Sequence, residues 1–459
     1  MIDKSNFHNK FNNNHSPQDY LITIQNLLNQ KNQEKLLNYI DEIHNADLAE
    51  VIQNFDEDNR EKFIYTIKDK FDPEILTYLN DSLREEIIDK LGISLLASEF
   101  EDLDTDDAVD VVEDLEKSEQ EIILNSLPIS KRKLIEEGLN YPEDSAGRLM
   151  QRNFVAVDEE WNVGNAIDYL RNDTDNLPKD FYDVYLIDKS KKVTGIVTLG
   201  RLMSSKREVS LNTIQNKETR VINVFTDQEE VAYLFTKYAM VSAPVVNNQN
   251  NIIGSITVDD VVEVIEEERE EDILKLGGVG QTDIFEAIVS TIKSRFSWLL
   301  INLLTAIAAS VVIGFFQASI EKVVALAVLM PIVASMGGNA GTQTMTVIVR
   351  AIATKELTPT NALKIIGKEV FVGGINGIIF AILVGLLSSY WFNDSLLGIV
   401  IAFAMILNLL IAGLTGTLIP ITLNKLRIDP ALASGVILTT ITDVFGFLSF
   451  LGLASIVIL

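Results

Sequence analysis

The stretch Asp259-Asp-Val-Val-Glu263-Val-Ile-Glu-Glu-Glu268-Arg-Glu-Glu271-Asp272-Ile-Leu-Lys-Leu276-Gly277-Gly278 divides the 459-residue chain into two unlike parts. Up to Leu276 it reads as a charged helix, and the glycine pair is its stop. Beyond it come five apolar stretches, at Trp298–Phe316, Val323–Val349, Val370–Tyr390, Leu396–Ile421 and Ala431–Leu459. At about 1.5 Å per residue, each is long enough to cross a hydrocarbon core of about 30 Å. Residues 294–459 hold 8 Lys or Arg and 6 Asp or Glu, against 30 and 59 in residues 1–293. The whole negative surplus therefore precedes the apolar spans. So dense a field repels nucleic acid and anionic headgroups and calls for a divalent counter-ion.

The flanks of the spans set their orientation. Lys293 and Arg295 precede the first span, Arg350, Lys355, Lys364 and Lys368 follow the second, and Lys425 and Arg427 follow the fourth. Only Lys322 lies between the first and second, and none between the third and fourth. The bias puts the amino-terminal part in the cytosol and, with an odd number of spans, the carboxyl terminus outside.

Upstream of the charged helix the chain repeats. Val184–Asp188, Val193–Thr198 and Leu199–Met203 overlay Ala243–Asn247, Ile252–Thr257 and Val258–Val262 at an offset of 59. Each copy reads strand, turn, strand, helix, and about eight extra residues around Arg171 to Asp183 in the first copy fit a surface loop. The layout resembles a tandem pair of CBS domains. Further upstream, Leu48, Val51, Ile52 and Phe55 fall at helical spacing, and the pattern returns at Ala108, Val111, Val112 and Leu115. Ile75, Leu76, Leu79, Leu83, Ile87, Ile88 and Leu91 continue it, which implies a superhelix of packed helix pairs. Met1–Ser16 is polar and Asn-rich with no apolar h-region, so no secretory signal is expected.

The expected architecture is thus multidomain and mainly α. It comprises a disordered tail (1–18), a helical N domain (19–140), a tandem α/β CBS pair (141–258), an acidic connecting helix with its linker (259–293) and a five-helix transmembrane domain (294–459). The chain has no Cys, which excludes disulfides and thiolate zinc sites. It shows no Walker loop or nucleophile triad, so it is not expected to be an enzyme.

Asp443 lies deep in the last span, in Leu438-Thr-Thr-Ile-Thr-Asp443-Val-Phe-Gly446, with no Lys, Arg or His in that span. A carboxylate there costs several kcal/mol unless it faces water or a cation, or is protonated and hydrogen-bonded to a neighbour such as Thr439 or Thr440. Thr439 could also offer its carbonyl to the same ion. In the second span, Ser335-Met-Gly337-Gly-Asn339-Ala-Gly341-Thr-Gln343 reads either as the lining of a cavity or as small-residue helix packing, with Asn339 and Gln343 bonding between helices. Magnesium suits such a path because it keeps its water, so a polar pore with one carboxylate per subunit holds a largely hydrated ion. Five helices rarely enclose a pore, and a dimer is expected. Asp429-Pro430 either gathers cations at the cytosolic mouth or caps a helix. Asp260, Glu263, Glu267, Glu270 and Glu271 line one face of the connecting helix, where like charges invite a bridging divalent ion. Asp106 and Asp110, one turn apart, form a second acidic pair, or Asp106 is a helix cap.

These residues together resemble the MgtE family of magnesium transporters. The resemblance is carried by Tyr141-Pro-Glu-Asp-Ser-Ala-Gly-Arg-Leu-Met150, Thr226-Asp-Gln-Glu-Glu230, Thr257-Val-Asp-Asp260, Glu271-Asp-Ile273, Gly337-Gly-Asn-Ala-Gly-Thr-Gln343, Asp429-Pro-Ala-Leu432 and Thr442-Asp443. It implies a homodimer in the bacterial inner membrane in which Asp443 governs selectivity and Asp429 contributes at the pore. Cytosolic Mg2+ then holds a closed state through Asp106, Asp110, Glu229, Asp260, Glu263, Glu268, Glu271 and Asp272. Where some members carry an acidic residue before the second strand of the second CBS repeat, this chain has Ala239, so one regulatory ion is absent or held differently. ATP at the CBS pair is a further candidate ligand. The rival readings are a transporter of Co2+ or Ca2+ of the same build, and a membrane-anchored CBS nucleotide sensor that conducts nothing. Soft ligands are scarce, with three His near the start, which disfavours a dedicated transition-metal path.

Overall fold

The computed structural model describes residues 17–97, 99–101, 103–172, 177–178, 181–216, 218–279 and 288–458. The polar start of the chain, most of the extra loop of the first repeat and the linker at 280–287 lie outside the described residues. The chain forms two compact units, divided between Glu266 and Glu267.

The first unit opens with nine helices among its described residues: α1 (Pro17–Asn29), α2 (Gln33–Ile40), α3 (Asn45–Asn54), α4 (Glu57–Ile67), α5 (Asp81–Leu91), α6 (Ile93–Leu96), α7 (Thr105–Glu113), α8 (Lys117–Ser126) and α9 (Ile129–Leu139). Short polar side chains start several of them: Asn32, Asp56 and Asn80 each accept a backbone N–H three residues on. Both periodic sets, Leu48 to Phe55 and Ala108 to Leu115, are buried in one core. Ile75 and Leu76 join that core from a 3-10 turn, Pro73–Tyr78, rather than from an α-helix. Asp72 and Asn80 each begin a new segment there, so the stretch is a short one bounded by caps at both ends.

Two buried arginines tie successive helices together, and each returns to a carbonyl five residues upstream. Arg60 donates to the Phe55 carbonyl at 3.2 Å and pairs with Glu86 at 3.0 Å. Arg84 donates to the carbonyls of Leu76 and Leu79 and pairs with Asp110 at 2.9 Å and Asp114 at 2.7 Å. Arg84→Met keeps the stem but strips the donors from buried carbonyls and leaves Asp114 without its cation. The cytosolic unfolding transition should lose about 3 kcal/mol, read as a fall in its thermal midpoint.

Next come α10 (Ala146–Leu149), β1 (Ala156–Asp158), α11 (Val163–Asn172), β2 (Asp183–Ile187), β3 (Val193–Thr198), α12 (Leu199–Ser204) and α13 (Leu211–Ile214). The second copy follows with β4 (Ile222–Asn223), α14 (Gln228–Tyr238), β5 (Ser242–Val246), β6 (Ile252–Thr257) and α15 (Val258–Leu276). Each copy has a three-stranded sheet with one parallel and one antiparallel pair. The antiparallel registers, Asp183↔Thr198 and Ser242↔Thr257, repeat at the offset of 59 with the bulge at the same place. Between the sheets the fully buried Tyr185 hydroxyl meets Ser242 at 2.8 Å and Ser255 at 2.5 Å. Gly147 and Gln151 bond the backbone of Val224 and Ser255, so the segment before the first copy packs on the second. That pairing is non-local, and the repeat pattern gave no sign of it.

α15 carries its acidic face because Val261 and Val264 are buried in the core of the second copy, which outweighs the like-charge repulsion along the helix. Its last turn closes as Gly277, Gly278 and Val279 donate back to Ile273, Lys275 and Leu274, with Gly278 at φ +69.

The second unit contains α16 (Ile288–Gly314), α17 (Gln317–Lys322), α18 (Ala325–Ala353), α19 (Ala362–Phe392), α20 (Ser395–Lys425) and α21 (Pro430–Val457). All but α17 are long and apolar enough to cross a membrane. α20 is the hub and packs on α18, α19 and α21. The α19–α20 seam is backbone against backbone. A Cβ at Gly373 would stand 2.6 Å from the Leu409 carbonyl, and one at Gly413 2.8 Å from that of Glu369.

Candidate ion path and cation sensor

On α21 the hydroxyls around Asp443 are turned back onto their own helix. Thr439 Oγ1 donates to the carbonyls of Gly435 and Val436, Thr440 Oγ1 to that of Val436, and Thr442 Oγ1 to those of Leu438 and Thr439. The Asp443 carboxyl is half-buried and has no hydrogen bond or ion pair among the described residues. The bond to Thr439 or Thr440 that would satisfy a protonated Asp is not made. The Thr439 carbonyl accepts the Thr442 hydroxyl at 3.1 Å.

α18 separates its polar and small residues onto two faces. Gly337 and Gly341 are buried, and a Cβ at Gly341 would meet Leu438 of α21 at 2.9 Å. Ser335, Asn339, Thr342, Gln343 and Thr346 are exposed. Asn339 bonds Ser335 on its own helix at 3.3 Å, and Gln343 has no hydrogen-bond partner among the described residues. The small-residue packing and the polar lining both hold, whereas the interhelical bonds expected of Asn339 and Gln343 are not formed within the subunit.

Asp429 caps α21, accepting the Ala431 N–H at 2.8 Å, and also pairs with Lys275 at 2.7 Å. Lys275 pairs in addition with Glu271 at 2.5 Å. Burial opposes the charge of Lys275, but the two carboxylates outweigh it and push the ammonium up to about 12. Asp272 is shifted upward by burial and then by Asp429. Leu276, at the tip of α15, packs against Met345, Val349, Ala431 and Leu438. The sequence offered Asp429 as a cap or a cation ligand. In the structure it caps the helix and has a lysine as its counter-ion.

In the first unit, Asp106, Asp107 and Asp260 come together. Asp106 Oδ1 is sealed from solvent without a hydrogen-bond partner among the described residues. Burial raises Asp106 well above the carboxylate range, and Asp260, Asp107 and Asp104 push it the same way. Asp107 is pushed to about 7 by burial and then by Asp104, Asp110, Glu263 and Glu74. Asp260 also reaches about 7 through burial and the charges of Asp259 and Asp107, although Thr257 donates to it at 2.8 Å. Asp106 is not a cap, since α7 starts at Thr105 with Asp104 at the N-cap. Asp110 points elsewhere, into its pair with Arg84. Asp107 and Glu74 went unsingled in the sequence, although Asp107 stands in the same Asp104-Thr-Asp-Asp107 run. Glu229 lies exposed at the start of α14, while Glu263 is exposed and Glu268 half-buried on α15. Ala239 ends α14 in the left-handed region at φ +49. No group of three or more His, Asp or Glu forms a ready cation cage among the described residues.

A cleft of about 360 Å³ opens between the CBS copies, lined among others by Tyr182, Asp183, Asn216, Arg220, Tyr238 and Ser242. Ser242 donates to Asp183 at 2.7 Å, and Arg220 stacks on the Tyr238 ring at 4.1 Å.

Five apolar helices that follow a helical domain and a CBS pair in the chain, with an intramembrane carboxylate unpartnered among the described residues, define a multi-pass cation transporter class. Family comparison agrees: residues 330–453 match the MgtE divalent cation transporter profile, 43–144 the MgtE intracellular N domain, and 146–208 with 213–267 the CBS domain. The chain is 30% identical to the magnesium transporter MgtE of Bacillus subtilis over 420 residues, 91% of this chain and 92% of that protein. It is 30% identical to the magnesium transporter MgtE of Thermus thermophilus over 440 residues, 94% and 97% of the two chains. A solved cytosolic domain of the Mg2+ channel MgtE in complex with ATP superposes with a TM-score of 0.49 at 27% identity, covering 53% of this chain and 99% of that one. The chain belongs to the MgtE family, which is one of transporters and not of enzymes.

Proposed function

We propose that the chain is a magnesium channel or transporter of the bacterial inner membrane, which admits Mg2+ to the cytosol and closes when cytosolic Mg2+ binds its sensor. The Asp443 carboxyl carries the reading: a negative group in a membrane helix, without a partner among the described residues, while the hydroxyls of Thr439, Thr440 and Thr442 are used by their own helix. A hydrated dication passing beside it supplies the missing charge and keeps its own water shell. Asn339 and Gln343 line the same path from α18, on a face that in lipid would be costly unless a second copy and water cover it. That face supports a homodimer, with the carboxyl terminus outside. Asp429 acts at the cytosolic mouth.

The sensor cluster fits a hard cation because its donors are all carboxylate oxygens and one of them, on Asp106, is buried without a partner among the described residues. Asp106, Asp107, Asp260 and Glu263 would hold one regulatory ion, while Glu271, Asp272 and Asp429 would hold another near the tip of α15. Asp110, Glu229 and Glu268 would add negative charge around these ions. A bound ion supplies positive charge and shifts the equilibrium by its preference for the closed form. The docked tip of α15 is that closed form, with Lys275 as a tethered cation that holds it in the absence of the ion.

Lys275→Met removes this internal competitor. The closed-to-open ratio without Mg2+ should fall by roughly fivefold, the equivalent of about 1 kcal/mol for a partly exposed ion pair, and the ratio of flux at zero to saturating cytosolic Mg2+ should rise accordingly. An unchanged ratio means that Lys275 does not hold the gate.

The CBS cleft favours one addition to this reading. Tyr182 and Tyr238 offer rings, Arg220 a phosphate partner and Asp183 an acceptor for ribose hydroxyls, the equipment for an adenine nucleotide such as ATP. Titrating the full chain with ATP, with Arg220→Ala as control, tests it. For transport itself the test is growth of a magnesium-requiring bacterial strain expressing the chain at limiting Mg2+, with Co2+ and Ca2+ as competitors. Failure to restore growth, or flux carried better by Ca2+ or Co2+, defeats the assignment.

A further inference from the structure

Asn408 lies in the middle of α20 and is 1% exposed. Its Nδ2 donates to the Val333 carbonyl of α18 at 2.8 Å, while Oδ1 is buried with no hydrogen-bond partner among the described residues. Two glycines make room for the amide. A Cβ at Gly337 of α18 would stand 2.2 Å from Nδ2, and one at Gly446 of α21 would stand 2.9 Å from the same atom. Three helices therefore close on a single carboxamide, at a depth where an unpaired polar atom is expensive and an apolar side chain would pack more cheaply.

The two glycines belong to the proposed ion path. Gly337 begins the Gly-Gly-Asn339 turn whose far face is polar, and Gly446 stands three residues after Asp443 on α21. Their close approach sets the spacing of α18 and α21, and the donated bond pins Val333, one turn before Gly337. We infer that Asn408 is a positioning residue for ion passage: its amide fixes the separation between the polar face of α18 and the turn that carries Asp443. It touches no ion itself. The inference rests on the transport reading given above and adds the part that holds the path to its width. The unpaired Oδ1 is the cost of placing an amide where only one of its two ends finds a partner.

The test is Mg2+ flux, and the ratio of Mg2+ to Ca2+ flux, in proteoliposomes of the full-length chain. Asn408→Leu keeps the branching of the side chain at a somewhat larger volume, removes the unpaired oxygen and abolishes the bond to Val333. It should melt within a few degrees of the native chain, yet lose roughly tenfold in Mg2+ flux and discriminate less against Ca2+, because misplacement on the scale of an ångström is costly at a selective site. Gly337→Ala/Asn408→Ala restores the packing with methyl groups but supplies no amide, and it too should stay impaired. Native flux and discrimination in the Leu variant overturn the inference, and so does full recovery in the double variant, which would make packing alone responsible. If the Leu variant does not assemble, the double variant decides. A native chain that passes no Mg2+ would instead defeat the transport reading, so the two failures are distinct.

Discussion

Asp443→Ala is expected to cut Mg2+ flux by at least about a hundredfold and, at the same time, to stabilise the membrane unit. The two signs come from one fact. A carboxylate with no partner inside an apolar helix costs the fold several kcal/mol, which alanine does not. That same charge is what lowers the energy of a dication on its way through, and losing about 3 kcal/mol of that attraction is about a hundredfold in rate. Flux into proteoliposomes and thermal unfolding in detergent read the two effects separately. Asp443→Asn, which keeps the shape and removes the charge, should resemble the alanine variant in flux. A residue held for structure would show the reverse pattern, with lost stability and retained flux.

The second large effect belongs to the sensor. In the folded unit burial and the neighbouring carboxylates push Asp107 and Asp260 up to about 7, and Asp106 is displaced in the same direction. In the unfolded chain such groups titrate near about 3.9. The folded form therefore binds more protons between about pH 4 and 7. The stability this gives is complete below about pH 4, falls as pH rises through that window and is lost above about 7. For two or three coupled groups the loss is on the order of several kcal/mol. A divalent cation replaces those protons, so it should flatten the slope. In the full chain with chelator, hydrogen-exchange protection of α7 and α15 should drop steeply from pH 5 to pH 8, and with Mg2+ it should hold. The triple change Asp106→Asn, Asp107→Asn and Asp260→Asn should make protection indifferent to both pH and Mg2+ and leave the pore open at high cytosolic Mg2+. Protection that still responds to Mg2+ in that variant would place the sensor elsewhere.

Periodicity exposed much of this molecule. The five spans, the repeat offset of 59 and the buried sets Leu48–Phe55 and Ala108–Leu115 follow from spacing alone, because helices and strands impose their own periods on apolar residues. What escaped was non-local. Arg84 sits on α5, and nothing in its neighbourhood in the chain announces that it pairs with Asp110 and so withdraws that carboxylate from the acidic cluster. Asp107 takes part in its place, which depends on the pitch of α7 against α15 and not on motif. Lys275 was not singled out in the sequence, because its partner Asp429 lies more than 150 residues away. Asn408 had a local signal, a lone Asn within Met405-Ile-Leu-Asn408-Leu-Leu, but its meaning depends on the two glycines that close on it.

The central claim is that this chain passes Mg2+ and is shut by Mg2+ on its cytosolic side. Its most direct test is Mg2+ entry into proteoliposomes of the full-length protein, measured while Mg2+ on the cytosolic face is stepped from chelated to millimolar. The account predicts rapid entry in chelator and its suppression at millimolar Mg2+. Entry no faster than in protein-free liposomes, or entry indifferent to Mg2+ on that face, would contradict it.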